Sequence, residues 1–298
     1  MLLLSILEYE KAFVKHYIRQ NQAKQDLNLI LYGSCLATER YKNMNNYHTH
    51  TTRCRHAFGK DRDYINKAIK AGITELGFSD HSPMLFPDKS YYSTYRMFPE
   101  DVSDYINSIH LLRDEYRDKI KIYIGYEFEY FPKLFDKTLQ FLEQCGYEYL
   151  ILGQHFTDNE YEPEAHYCGL PTNSEELFDK YISQALEGLG TGKFLYIAHP
   201  DLFNYTGPDR IYIEKMTYFC EEIKKLGYPL EFNLLGFAQK RNYPDRRFWK
   251  IVSQVGNDVI IGFDAHSPEV FQNKRIYNSA VKYLAKLGIT PLEKLDIE

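Results

Sequence analysis

The chain has 298 residues, too long for a small binding module and about right for one large α/β domain. Its 44% hydrophobic content supports a real core, and a formal charge of -5 excludes the basic footprint of a general nucleic-acid binder. Five cysteines (Cys35, Cys54, Cys145, Cys168, Cys220) without a C-x-x-C pair fit reduced thiols in a cytoplasm better than a disulfide framework.

In chain order, Met1–Leu7 is apolar but too short to span a bilayer, and it lacks the basic flank of a signal peptide. Ile6–Gln25 has the pattern of an amphipathic helix. Residues 1–43 otherwise show no strand, and two readings compete: a helical extension of the domain, or sequence upstream of a true start at Met44. The second is preferred. From Met44 onward, short runs rich in Ile, Leu, Phe and Tyr predict strands at Asn46–His48, Glu75–Phe78, Ile120–Tyr126, Tyr149–Leu152, Phe194–Ala198, Leu230–Asn233 and Val259–Phe263. Helices are predicted between them at Asp61–Ala71, Pro99–Tyr116, Lys133–Cys145, Ser174–Leu189, Ile211–Leu226 and Asp245–Val255, several ending at glycine. Seven helix-separated strands imply parallel β/α units, and neither a G-x-G-x-x-G nor a phosphate-loop motif is present, so a barrel is expected rather than an open nucleotide-binding sheet.

Seven of the ten histidines fall at or just after these strand ends: His48, His50, His56, His81, His155, His199 and His266. Glu127 and Asp264 occupy equivalent places. In a β/α barrel, groups at the C-terminal strand ends converge on one site. Imidazole and carboxylate are ligands of zinc, iron and manganese, so this pattern predicts a site with several ions. His48-x-His50 puts two imidazoles on one strand face. Glu127 has two oxygens and is assigned as a bridge between ions. Asp264 and His266 repeat the spaced pair, and Asp80 is expected to orient an imidazole. Glu129 is placed in the loop after its strand. Cys54 is read as lining, His110 as structural, and His166 as a residue of the loop after the fourth strand.

The motif order H-x-H, a following His, D-H, a strand-end Glu, G-x-H, A-H-P and D-A-H resembles the polymerase-and-histidinol-phosphatase (PHP) superfamily. The strings Tyr47-His48-Thr49-His50-Thr51, Gly77-Phe78-Ser79-Asp80-His81-Ser82-Pro83, Ala198-His199-Pro200-Asp201 and Gly262-Phe263-Asp264-Ala265-His266 look most like its stand-alone histidinol-phosphatase branch. The resemblance implies a distorted seven-stranded (β/α)7 TIM-like barrel holding three divalent ions. It implies one ion at His48, His50, Glu127 and Asp264, a second at Glu127, His155 and His199, and a third at His56, His81 and His266. The first loop, Arg53-Cys54-Arg55-His56-Ala57, and the stretch Thr157–Gly169 depart from the family's usual text.

The activity so implied is hydrolysis of L-histidinol phosphate, late in histidine biosynthesis, with Glu127, Asp80 and Asp264 as catalytic residues. Closely spaced divalent ions make hydroxide available at neutral pH and neutralise the phosphate. The leaving alkoxide also needs a proton, for which Asp80, His166 and Asp201 are rim candidates. Arg241 and Lys240, in the expected loop Gly236–Pro244, are the first candidates for a phosphate clamp, with Arg53 and Arg55 next. Glu129, Asp201 and Glu231 are candidates to pair the substrate amine. The expected partner is a small phosphate ester, with neither nucleic acid nor membrane. A protein-tyrosine phosphatase of the same superfamily, a phosphodiesterase and a metal-binding regulatory domain are the alternatives.

Overall fold

The computed structural model describes residues 44–297. The expected helix Ile6–Gln25 and the two readings of residues 1–43 lie outside the described residues. Within them, seven parallel strands form one sheet in sequential order: β1 (Met44–Asn46), β2 (Ile73–His81), β3 (Lys121–Phe128), β4 (Tyr149–Leu152), β5 (Tyr196–Ile197), β6 (Leu230–Asn233) and β7 (Val259–Gly262). The helices are α1 (Asp61–Ala71), α2 (Val102–Tyr116), α3 (Phe135–Cys145), α4 (Glu175–Gly190), α5 (Asp209–Leu226), α6 (Leu234–Gln239), α7 (Arg246–Val255) and α8 (Lys274–Lys286). No helix among the described residues is long and apolar enough to cross a membrane.

Local chemistry sets the helix limits. Ser174 caps α4 by accepting from the Leu177 amide, and Asp245 caps α7 by accepting from the Arg247 amide. Gly72, Gly227 and Gly256 end α1, α5 and α7 in the left-handed conformation. The expected helix at Pro99 begins instead as a 3-10 turn (Pro99–Asp101) that leads into α2. The catalytic-face segment expected as a loop starts as α6. Asn233 accepts there from the Gly236 amide and turns the strand end directly into a helix.

The sheet closes through the site itself. Beyond β1 and β7, the His50 amide donates to Ala265 O at 3.0 Å and the Ala265 amide donates to His48 O at 3.1 Å. The Asn46 side chain accepts from the Phe263 amide at 2.9 Å. Two short extensions that carry His48, His50 and Asp264 thus join the first strand to the last.

Alternation along the strands sorts the side chains. On β3, Tyr123 and Glu127 share one parity; on β4, Tyr149 and Ile151 do; on β7 and its extension, Ile260 and Asp264 do. Tyr47, Tyr123, Tyr149, Tyr196, Ile151 and Ile260 pack with Leu295 into one apolar cluster. The other strand faces pack against the helices in the large outer core. The C-terminal segment seals the lower end: the Leu292 amide donates to Val259 O at 2.7 Å and the Leu295 amide donates to Tyr47 Oη at 3.2 Å. A packed aromatic floor therefore lies beneath the histidine layer.

Candidate metal centre

Glu127, at the end of β3, is the hub. Its Oε1 lies 2.8 Å from His199 Nε2 and 3.5 Å from His155 Nε2. Its Oε2 lies 3.0 Å from His81 Nδ1 and 3.6 Å from both His48 Nε2 and His50 Nε2. Asp264 Oδ1 faces the same two imidazoles, 3.5 Å from His48 Nε2 and 3.1 Å from His50 Nε2. Donors around a tetrahedral ion with bonds of about 2.0–2.1 Å stand roughly 3.3 Å apart, which is the spacing of this set. On the other side, His266 Nε2 lies 2.9 Å from His56 Nε2, and the His50 and His266 rings stack with centroids 4.1 Å apart. All nine expected ligand residues converge on one end of the barrel.

The polar atoms themselves point to a cation. His48 Nε2, His50 Nε2 and Glu127 Oε2 are buried without a hydrogen-bond partner, a costly state for polar groups that a divalent ion would relieve. Charges are held in place as well. Burial opposes ionisation of Glu127, but His155 and His48 outweigh it and keep the carboxyl well below the usual range. Asp264 is held low in the same way by His48 and His266. Burial also opposes a charged His48, yet Glu231, Asp264 and Glu127 raise it to about 10. Burial pushes His81 and His56 well below the ordinary imidazole value.

Backbone geometry serves the same end. His199 and Asp264 both adopt positive φ, 31° and 49°, in a region non-glycine residues seldom visit. A Cβ on Gly153 would land on the Glu127 carboxylate, and one on Gly262 would land on that of Glu231. Glycine at these two strand ends lets the carboxylates lie flat across the neighbouring backbone.

The imidazoles are oriented from behind. Asp80 is fully buried; Oδ2 accepts from the Thr51 amide at 3.1 Å and from the Thr51 hydroxyl. Its Oδ1 accepts from the His81 amide at 2.9 Å and stands 3.4 Å from His50 Nδ1. Asp80 thus lies behind His50, held by Thr51 and the His81 backbone. Held so, its oxygens are turned towards protein groups rather than a leaving group.

Glu231, expected as a partner of the substrate amine, stands instead behind His48. Its Oε1 is 2.8 Å from His48 Nδ1, and its Oε2 accepts from the His199 amide at 3.1 Å and from Asn233 Nδ2 at 2.9 Å. The available signal was a lone carboxylate in the apolar strand Leu230-Glu231-Phe232. The amine-pairing expectation is corrected for all three carboxylates considered. Glu231 is 0% exposed and committed to His48. Glu129 and Asp201 are each 1% exposed. Glu129 accepts from the His155 amide, and Asp201 accepts from the Asp245 amide and Trp249 Nε1.

The other candidates fall out as follows. Arg53 is engaged by Asp61 and Asp104, at 3.0 and 2.6 Å, and Arg55 by Asp101 at 2.6 Å. Those carboxylates already neutralise the two cations. Lys240 is exposed at the end of α6. Arg241 hydrogen-bonds Gln239 Oε1 at 2.9 Å and Tyr243 Oη at 3.2 Å, and the Tyr243 ring lies 5.7 Å from that of His199. Cys54 is buried and its thiol donates to Thr51 O at 3.1 Å, consistent with lining, although it stands within reach of His56 and His266. His110 is a surface residue of α2 beside Arg113, and the His166 ring rests 6.4 Å from that of Phe203.

Comparison with known proteins agrees with this arrangement. Residues 46–234 match the PHP domain. A protein of Deinococcus radiodurans named "probable histidinol-phosphatase" is 28% identical over 236 residues, covering 74% of this chain and 85% of its own length. The histidinol-phosphatase of Bacillus subtilis is 27% identical over 251 residues, covering 74% of this chain and 92% of its own. Among solved structures, the histidinol phosphate phosphatase of Lactococcus lactis, crystallised with zinc, L-histidinol and phosphate, superposes with a TM-score of 0.63 at 20% identity. That match covers 85% of this chain and 99% of the other, and it bears out the barrel fold. Since the PHP match spans more than half of the sequence and takes in seven of the nine converging residues, the chain belongs to the PHP domain family.

Proposed function

We propose that this protein is a metal-dependent phosphomonoesterase that hydrolyses L-histidinol phosphate to L-histidinol and inorganic phosphate, a step of histidine biosynthesis. The observation that carries the reading is the convergence of seven imidazoles and two carboxylates, with partnerless buried donor atoms, on one end of the barrel. The substrate follows from relatives that match most of their own length.

Three ions, of zinc, iron or manganese, fit the donor set. His48, His50, Glu127 and Asp264 would hold one, Glu127, His155 and His199 a second, and His56, His81 and His266 the third. When bound, such ions supply positive charge to the phosphate dianion and a water acidic enough to react at neutral pH. The chain's own residues do the rest. Glu127 spans the cluster and fixes the spacing of its two halves. Glu231 and Asp80 hold His48 and His50 from behind. Arg241, linked through Tyr243 to the His199 side, binds the phosphoryl oxygens. The aromatic floor keeps water from entering the site from below.

The reading is tested by phosphate release from L-histidinol phosphate, a phosphotyrosine peptide and a dinucleotide, using zinc- or manganese-loaded protein. Preference for L-histidinol phosphate supports it. Preference for the phosphotyrosine peptide or the dinucleotide keeps the metal chemistry and overturns the substrate.

A further inference from the structure

Beside the metal centre lies a buried ionic cluster that none of the roles above employs. Arg96 is 1% exposed, although it comes from the long segment between β2 and α2. Its guanidinium reaches three other parts of the chain. Nε and Nη2 donate to Glu160 Oε2 at 2.9 and 2.6 Å; Nη2 also donates to Glu129 Oε2; Nη1 donates to Ser82 O at 3.1 Å. Tyr95 completes the cluster, with its hydroxyl within 2.6 Å of Arg96 Nη2 and donating to Glu160.

Of these partners, Glu129 contacts His155 directly, and Ser82 and Glu160 lie on the segments that follow His81 and His155. Ser82 follows His81 directly, and the Met97 amide, just past Arg96, donates to His81 O at 3.2 Å. Glu129 turns its other oxygen to His155, accepting from the amide at 3.1 Å and facing Nδ1 at 3.5 Å. Glu160 anchors the segment that follows His155. His81 and His155 approach the two different oxygens of Glu127, and their rings stand 5.1 Å apart. One guanidinium thus holds the supports of two imidazoles that flank the bridging carboxylate.

An arginine suits this task because its planar fork offers several fixed donors at once, whereas lysine offers a point charge. Glu129 Oε1 holds the His155 backbone by its amide at 3.1 Å and faces the Nδ1 side of the ring, while Nε2 is the nitrogen turned to Glu127.

We propose that Arg96 is a positioning residue of the metal centre: through Glu129 it fixes the ring of His155 and thereby sets the affinity of the ion shared by Glu127, His155 and His199. The proposal rests on the metal-dependent reading given above. It assigns Arg96 and Glu129 no contact with substrate.

The test is zinc binding, measured by competition with a chromophoric chelator and by metal content after dialysis in zinc-buffered solution, with no substrate present. Wild type is compared with Glu129→Gln, which keeps shape, with Arg96→Lys, which keeps charge, and with His155→Ala. The variants at 129 and 96 are expected to lose one equivalent of zinc selectively, with affinity for that ion falling about 10–100-fold while the remaining ions bind as in wild type. The double variant Glu129→Gln/His155→Ala is expected to bind no more weakly than His155→Ala alone, because both changes remove one interaction.

Equal weakening of every ion, unchanged zinc affinity with a lowered melting temperature, or additive losses in the double variant would each overturn the proposal and leave Arg96 a purely structural residue. A wild type that binds no zinc, manganese or iron would remove the metal-dependent reading itself, and the proposal with it. A wild type that binds metal but prefers another phosphate ester would correct only the substrate.

Discussion

Glu231 Oε1 stands 2.8 Å from His48 Nδ1, while its Oε2 accepts from the backbone amide of His199. One carboxylate on β6 therefore orients the His48 imidazole from beyond β1 and anchors the His199 backbone beyond β5. Removing its charge while keeping its shape, by Glu231→Gln, leaves His48 free to adopt the other tautomer. Metal affinity and kcat/KM are expected to fall about 10–100-fold with little change of fold, as read by metal content and circular dichroism on the same preparation.

Gly262 gives an independent route to the same outcome. A Cβ at this position would meet the Glu231 carboxylate, so Gly262→Ala displaces Glu231 without touching any ligand. Its metal affinity is expected to match that of Glu231→Gln. A variant with wild-type metal binding and activity would show that the carboxylate can move without consequence.

Cys54 separates lining from ligation. Burial and nearby Asp80 push its thiol up to about 12, and the thiol donates to Thr51 O. Cys54→Ala is expected to keep the full complement of metal and to lose about 1 kcal/mol of stability. Loss of one equivalent of metal in this variant would make the thiolate a ligand.

The three arginine candidates for phosphate binding divide by their surroundings. Arg53 and Arg55 are neutralised by Asp61, Asp104 and Asp101. Arg241 reaches Tyr243 beside His199. Arg241→Met is expected to lower kcat/KM about 10–100-fold, and Arg53→Met and Arg55→Met by less than about threefold. Steady-state kinetics on the three variants decide the ranking.

The parts of this molecule legible in sequence are those with short-range signatures. Tyr149–Leu152 and Leu230–Asn233 are observed with the boundaries their apolar runs predict, since each run is cut off by glycine or polar residues. The convergence of the nine side chains was readable because histidines recur at consecutive strand ends, which a barrel brings together. The rest depended on contacts between distant segments. β2 runs on through His81 because it pairs with β3 as far as Glu127. β1 stops short of His48 because the following residues bond to the extension of β7 instead. Helix α8 was not expected, and α6 was read as part of a loop, since only the Asn233 cap reveals that start. Arg96 gave no signal: an arginine in a polar segment looks solvated until Glu129 and Glu160 are seen beside it.

Glu127 reaches His48, His50 and His81 through Oε2 and His155 and His199 through Oε1. Phosphate release from L-histidinol phosphate and metal content, measured together for wild type and Glu127→Gln, decide whether this carboxylate is the hub of a phosphatase site. Bound metal and rapid release are expected in wild type, with metal reduced and turnover lost in the variant. Undiminished turnover in Glu127→Gln, or a metal-loaded wild type that releases no phosphate from this ester, would contradict that role.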